Sequence, residues 1–401
     1  MNSVDFDSLA ALRTPTGVNA LAAAAEVAGD DPLVAASALR ARGVAPALAA
    51  AALTQVSLRR KAEAKFGSVS DRMFFTRAGL EQATRAVVTD RRAGRLAAAG
   101  VATLADLGCG LGSDALAAAR RGIRVYAVDA DPVTAAVAAV NVAVAGLDDL
   151  VTVECADATT VDVARFDAVF ADPARRGGRG RVMNPRSWSP PWDFIASLPA
   201  RVPRTVLKLA PGIDHALLPA GAEGEWVSVD GDLVEAAFWC GPLAAAERRA
   251  TLLRSAAPPV ELTGSGVTAA PVGPVGRFLY DPDPAVVRAH LVAEFAASIG
   301  GRIADPLIAY VYTDEPVSSP FARRLEITDV LPFSLKRLRT MLRERGVGRL
   351  EIRKRGSAIE PEKLRHDLRL SGPNAGSLVL TRVAGTPTIL LCEADQSPAR
   401  G

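Results

Sequence analysis

Between residues 100 and 175 the chain repeats one pattern four times: a short apolar run that ends on an acid. Leu104-Ala105-Asp106-Leu107 is the first, and Ile123 to Val128 closes on Asp129. Val151 to Cys155 leads to Asp157, and Phe166 to Ala171 closes on Asp172. Runs this short and apolar, separated by alanine-rich segments such as Ser113 to Arg120 and Pro132 to Ala145, predict buried strands alternating with helices. The expectation is α/β, with a doubly wound parallel sheet.

Gly108, Gly110 and Gly112 alternate directly after the first strand. Glycine removes the Cβ from a backbone that must approach a ligand closely, and the helix after the turn offers its unpaired N–H groups to the same place. This predicts a nucleotide-type cofactor site. A glycine turn alone would also serve an ordinary strand-to-helix junction, so the acids at the later strand ends carry the discrimination. Asp129 stands 23 residues after Asp106, where the second strand of such a sheet presents a carboxylate to a ribose diol. A dinucleotide dehydrogenase would show Gly-x-Gly-x-x-Gly and no ordered acids at the third and fourth strand ends.

The flanks have other patterns. Residues 1–95 hold alanine-rich amphipathic runs: Asp31 to Arg40, Ala47 to Val56, and a charged stretch from Arg59 to Lys65. They predict an N-terminal helical domain. Residues 96–255 are expected to form one α/β domain, closing with a strand from Arg204 to Ala210 and a hairpin from Trp226 to Trp239 turned at Asp230-Gly231. Residues 256–280, rich in Pro, Gly and Thr, are expected to be a linker, and 281–401 a second α/β domain. Its clearest element runs from a Ser334 cap to a Gly346 stop. Leu335, Leu338 and Leu342 share one face of that helix, and the other carries Lys336, Arg337, Arg339, Arg343 and Arg345. A strand from Leu350 to Gly356, a short helix near Glu360 to Arg369 and two closing strands are expected after it.

Composition narrows the class. A length of 401 residues with 49% hydrophobic positions can fill several cores. No apolar stretch is long enough to span a bilayer, and the N-terminus lacks the basic start and apolar core of a secretory signal. The expectation is a cytoplasmic protein with no membrane partner. The four cysteines, 109, 155, 240 and 392, are widely spaced and predict small reduced core residues rather than a metal site.

With these motifs in place, residues 100 to 242 resemble the class I S-adenosylmethionine-dependent methyltransferases. The family's acid-x-Gly-x-Gly-x-Gly motif is matched by Asp106, Gly108, Gly110 and Gly112, its ribose acid by Asp129, and its adenine-side acid by Asp157. Its fourth, catalytic motif falls on Asp172-Pro173-Ala174-Arg175. The resemblance implies S-adenosylmethionine as cofactor. It also implies a Rossmann-like sheet of seven strands with an antiparallel last hairpin. Members that methylate amines have Asp/Asn-Pro-Pro-aromatic here, so Ala174 and Arg175 are departures that leave the methylated atom open. Cys240 lacks the Cys-Asn-Pro context of the family's cysteine nucleophiles and reads as structural.

Two further resemblances extend the picture. The order of elements after Tyr280 is similar to the THUMP-like domain that follows some bacterial methyltransferases, and THUMP modules are associated with RNA recognition. Lys65-Phe66 with Met73 to Thr84 resembles the segment before the catalytic fold in the trimethylguanosine synthase-like branch, where it covers the cofactor. From the residues alone, Phe74 and Phe75 form a packing staple and Thr76 caps the next helix.

Charge points to the acceptor. Net charge is only +3, but residues 321 to 370 carry 14 Lys and Arg against 7 Asp and Glu, which suits phosphate as well as a solvated helix face. Arg175, Arg176, Arg179, Arg181 and Arg186 come after the catalytic motif with no acid between Asp172 and Asp193. Guanidinium groups beside a methyl donor suit phosphate oxygens, and an exposed Trp188 would stack on a flipped base. Asp172, Pro173 and Arg175 are therefore the candidate catalytic residues, with Arg176, Arg179, Arg181 and Trp188 binding substrate. The reading is methyl transfer to a base nitrogen of tRNA or rRNA, without a metal, by a chain expected to be a monomer. A small-molecule or protein methyltransferase with a regulatory C-terminal domain, or a non-catalytic S-adenosylmethionine- or RNA-binding protein, are the alternatives.

Overall fold

The computed structural model describes residues 5–27, 29, 31–175, 188–255 and 257–393. The chain forms two compact units, Met1–Ala222 with Ala237–Ala245, and Glu223–Ala236 with Ala246–Gly401.

The first unit begins with helices α1 (Phe6–Arg13), α2 (Pro15–Glu26), α3 (Pro32–Ala41), α4 (Pro46–Phe66), α5 (Arg77–Gln82) and α6 (Ala86–Ala98). Asp5, Thr14 and Asp31 cap the first three through their side chains, and a proline opens α2, α3 and α4, where its missing N–H costs nothing. The two segments expected over 47–56 and 59–65 are one helix. No Gly or Pro separates them, and Leu58, Ala62 and Phe66 extend the buried face begun by Ala49, Ala52 and Val56.

The α/β part comes next: β1 (Thr103–Leu107), α7 (Ser113–Ala119), β2 (Arg124–Asp129), α8 (Pro132–Ala145), β3 (Val151–Cys155) and β4 (Ala168–Ala171). After β4 come two-residue strands β5 (Ala174–Arg175) and β6 (Trp188–Ser189), then α9 (Trp192–Arg201) and β7 (Thr205–Leu209). The four acid-ended runs are parallel neighbours, β4-β1-β2-β3, and β7 lies parallel on the outside of β4. β8 (Glu223–Val229) and β9 (Asp232–Trp239) follow in the chain, and the sheet counts nine strands where the resemblance implied seven, because Arg248–Arg254 and Ala257–Gly264 extend it beyond β8. Asp230 at φ +51° and Gly231 at φ +86° turn the hairpin between them. β9 passes from the second unit to the first at Ala237.

Helical prefix and sheet of the first unit share one core that reaches from Leu9 to Leu243. Two buried amides stitch them together by treating the segment Phe74-Phe75 as a strand edge. Gln55 Oε1 accepts from Phe75 N at 3.1 Å while its Nε2 donates to Phe75 O at 2.7 Å. Asn141 Oδ1 accepts from Phe74 N at 2.7 Å, and its Nδ2 donates to Phe74 O at 3.1 Å and Leu111 O at 3.0 Å. Phe74 and Phe75 are buried and Thr76 accepts from Gly79 N to cap α5, as expected of a staple and cap.

In the second unit, β10 (Arg248–Arg254) lies parallel to β8, and β11 (Ala257–Gly264) lies antiparallel to β10. The expected linker therefore begins with a strand. Val260 and Leu262 alternate inward, and Pro258 and Pro259 are tolerated because β11 is an edge. Then come β12 (Phe278–Pro282), α10 (Pro284–Arg288), α11 (Val292–Ser298), β13 (Arg302–Ile303), β14 (Val311–Thr313) and β15 (Ala322–Pro332). The chain continues with α12 (Leu335–Glu344), β16 (Val347–Lys354), α13 (Pro361–Leu368), β17 (Asn374–Val383) and β18 (Thr386–Cys392). They build a sheet of order β13-β14-β12-β15-β18-β17-β16, whose strands β17 and β18 carry buried side chains on both faces. Leu378, Leu380, Ile389 and Leu391 meet Leu338 and Leu342 of α12 and Leu364 and Leu368 of α13, while Val379 and Leu390 meet Tyr310 and Tyr312 on the opposite face.

Replacing Asn141 by Leu strands three buried backbone groups, at about 1–3 kcal/mol for each group left unsatisfied. Urea denaturation of Asn141→Leu should show a loss of about 3 kcal/mol or more, as a lower midpoint with an unchanged slope.

Candidate functional site

Strand order reverses between β1 and β4, and in an open α/β sheet the crevice at such a switch point, outside the carboxyl ends of the strands, is where ligands bind. The glycine turn and Asp172 both lie there. Gly108 has φ +92°, and a Cβ on it would come within 2.8 Å of the Asp172 carbonyl oxygen. No residue but glycine fits that contact without displacing backbone. Gly110, at φ +56°, donates its N–H to Asp129 Oδ2 at 3.0 Å, and Gly112, at φ +82°, leads into α7 from the left-handed region.

The acids differ sharply in setting. Asp106 is 0% exposed, and neither carboxylate oxygen has a hydrogen-bond partner among the described residues. Burial pushes its carboxyl well above the usual range, and the nearby Asp114 and Asp172 add to this against the opposing charge of Arg92. Asp114 is itself raised by burial, although Arg92 forms a buried ion pair with it and stacks over the Phe170 ring at 4.6 Å. Asp129 is half-buried and raised by desolvation, with the N–H groups of Asp131 and Gly110 opposing the shift. Asp157 is exposed at the end of β3, and its Oδ1 accepts from Thr159 N at 2.9 Å and Thr159 Oγ1 at 2.8 Å.

Asp172 directly succeeds β4, its N–H bonded to Leu107 O at 3.2 Å and its carboxylate ion-paired with Lys208 of β7. Pro173 is half-buried beside it, and the backbone of Arg175 pairs with Trp188 in the β5-β6 ladder. Arg176, Arg179 and Arg181 lie outside the described residues. Trp188 requires a correction: it is 7% exposed and packed edge-on against Trp192, ring centroids 5.4 Å apart, so it is no open stacking platform. Trp192 opens α9 and is half-buried. The cause is local pairing, which turns Trp188 inward. Of the cysteines, 109, 240 and 392 are buried and free, while Cys155 is exposed rather than part of a core. No group of metal-ligating side chains occurs among the described residues. Among them no helix is long and apolar enough to cross a membrane.

Sequence reasoning missed Arg92, Asp114 and Lys208. Lys208 had a readable signal, a lone cation in the otherwise apolar strand Thr205-Val206-Leu207-Lys208-Leu209. Arg92 had none, since nothing in the local pattern of α6 separates it from its neighbours Arg91 and Arg95.

The carboxylates test the fit of S-adenosylmethionine. Arg92 engages Asp114 and Lys208 engages Asp172, so Asp106 and Asp129, whose ionised forms burial disfavours, are the acids at the turn that make no ion pair among the described residues. A donor that carries a sulfonium and an ammonium group supplies the positive charge that would favour their ionised forms, and Gly110, where a Cβ would meet nothing within 4 Å, leaves space for a close backbone approach. The residues present fit the cofactor.

A methyltransferase-domain model matches residues 104–174, a THUMP-domain-like model matches 322–394, and a domain model of unknown function matches 5–62. Over 337 residues the chain is 35% identical to an uncharacterized S-adenosylmethionine-dependent methyltransferase of Mycobacterium tuberculosis strain CDC 1551, covering 81% of this chain and 90% of the relative. The protein of strain H37Rv matches to the same extent. The crystal structure of a protein assigned as a methyltransferase from Porphyromonas gingivalis W83 superposes with a TM-score of 0.73 at 20% identity, covering 94% of this chain and 99% of that one, which shows a shared fold. With a relative of that identity across most of both chains and the glycine turn in its expected place, the chain belongs to the S-adenosylmethionine-dependent methyltransferases and carries a THUMP-like domain.

Proposed function

We propose that this methyltransferase acts on RNA, placing a methyl group on a base nitrogen of tRNA or rRNA by direct in-line transfer. The observation that carries the reading is the outer face of α12. Lys336, Arg337 and Arg343 are exposed there and make no side-chain ion pair among the described residues. Ser334, Lys336, Arg337, Thr340 and Met341 line an open concavity of about 310 Å³ at the start of the helix. Cations left without acids suit a phosphate backbone, which they bind by releasing counterions. The arginines at 175, 176, 179 and 181 add phosphate-gripping groups to the same reading.

S-adenosylmethionine supplies an activated methyl group, so the protein's own work is alignment, charge placement and exclusion of water. In this reading Asp106 and Asp129 hold the cofactor's positive group and its ribose, Asp157 stands on the adenine side, and Gly108, Gly110 and Gly112 admit its backbone-facing edge. Asp172 accepts a hydrogen bond from the acceptor N–H, which orients the nitrogen lone pair and stabilises positive charge as it develops there.

The purified protein should transfer labelled methyl to tRNA or rRNA from a strain lacking the gene, and Asp172→Ala should abolish transfer while cofactor affinity stays within a few-fold. Label appearing instead in protein or metabolites would exclude RNA as the acceptor. The triple variant Lys336→Ala, Arg337→Ala, Arg343→Ala should weaken RNA binding and flatten its dependence on salt by about one unit of log-log slope per lost phosphate contact. Its cofactor affinity should not change. Finally, the raised carboxyl of Asp106 is lowered again by a cation placed beside it. Cofactor affinity should therefore rise with pH up to the pKa of Asp106 in the cofactor-free protein and level off above it. Calorimetry in buffers of different ionisation enthalpy should detect proton release, and Asp106→Asn should remove it.

A further inference from the structure

We propose that Lys208 is a positioning residue of the acceptor side: by pairing with Asp172 it withdraws that carboxylate from the cofactor and holds it ready for the acceptor N–H. The inference rests on the role given to Asp172 in the proposed function.

Strand register brings the two residues together. β4 and β7 run parallel with Val169 opposite Thr205, Phe170 opposite Val206 and Ala171 opposite Leu207, so the next step places Asp172 beside Lys208 on the same face of the sheet. The ion pair is thus built on adjoining strands, which hold a side chain more firmly than a loop does. The Lys208 side chain is 14% exposed and that of Asp172 is 32% exposed, which places the pair at the edge of the crevice.

Asp172 is the acid with which Lys208 forms its ion pair. Asp172 faces it from the end of β4, Asp114 from α7 and Lys65 from the end of α4. Asp114 is already held by Arg92. Lys65 spends its ammonium on the carbonyls of Leu80, Glu81 and Ala83, at 2.7, 3.0 and 3.0 Å, so it does not take Asp172 in place of Lys208. Without Lys208, Asp172 would stand among Asp106, Asp114 and Asp129 as one more cofactor-facing anion.

The consequence is chemical. During transfer the lone pair of the acceptor nitrogen forms the bond to the methyl carbon while the carbon–sulfur bond breaks, its electron pair staying on sulfur. The nitrogen becomes positive, and its proton then leaves to water. A carboxylate tethered through Oδ2 meets that N–H in one orientation, and misalignment by about 1 Å can cost on the order of a hundredfold in rate.

The test uses full-length protein with Lys208→Met, Lys208→Gln and Lys208→Arg, assayed with bulk tRNA and rRNA from a strain lacking the gene. Lys208→Met and Lys208→Gln should lower kcat by roughly tenfold to a hundredfold with cofactor affinity nearly unchanged. Lys208→Arg should restore kcat. An unchanged kcat in Lys208→Met and Lys208→Gln would overturn the role of Lys208, as would a parallel loss of cofactor affinity. Asp172→Ala separates the two readings: if it turns over normally, the role of Asp172 itself fails, whereas an inactive Asp172→Ala beside an unaffected Lys208→Met sinks only the role of Lys208.

Discussion

The turn after β1 lies so close to the end of β4 that a single Cβ at residue 108 would strike the carbonyl oxygen of Asp172. That contact sets the electrostatic problem of the whole site. It draws the ends of two neighbouring strands together, and with them Asp106 and Asp172, while α7 adds Asp114 and β2 adds Asp129. Four carboxylates within one crevice repel each other and resist burial. Arg92 and Lys208 each meet one of them, and Asp106 and Asp129 make no ion pair among the described residues.

Arg92 comes from α6, outside the sheet, so the helical prefix is part of the site's chemistry as well as of its core. Gln55 and Asn141 serve the same union by hydrogen-bonding the backbone of Phe74 and Phe75 from both sides. A buried amide with every bond made holds two elements in one register, and losing one bond leaves the others costly. This is why a segment without regular structure between α4 and α5 can be as buried as the strands it meets.

In the THUMP-like domain the relation between burial and charge is reversed. Leu338 and Leu342 commit one face of α12 to the sheet, which leaves Lys336, Arg337 and Arg343 no direction but outward. Neighbouring cations are absorbed by the fold: Arg345 pairs with Asp329, and Arg353 and Arg355 share Asp281. Part of the basic surplus visible in the sequence is therefore taken up in ion pairs, and part of it stands on the outer face of α12.

The sequence by itself determined the four acid-ended strands, the glycine turn, the order of the four acids and the cofactor class, because each depends on local pattern: short apolar runs, positive φ at glycine, an acid at a strand end. It determined likewise the amphipathic face of α12 and the turn at Asp230-Gly231. Tertiary structure alone decided which carboxylates are neutralised, since Arg92 and Asp114 meet from different elements and Lys208 reaches Asp172 only through strand register. It decided too that Trp188 turns inward, because its exposure depends on the β5-β6 pairing and on the ring of Trp192 rather than on its prolines. It made a strand of Ala257–Gly264, whose proline-rich start is compatible with either an edge or a linker until a partner strand is present. Pattern specifies what a segment can be, and only packing specifies which charges and rings then come to face one another.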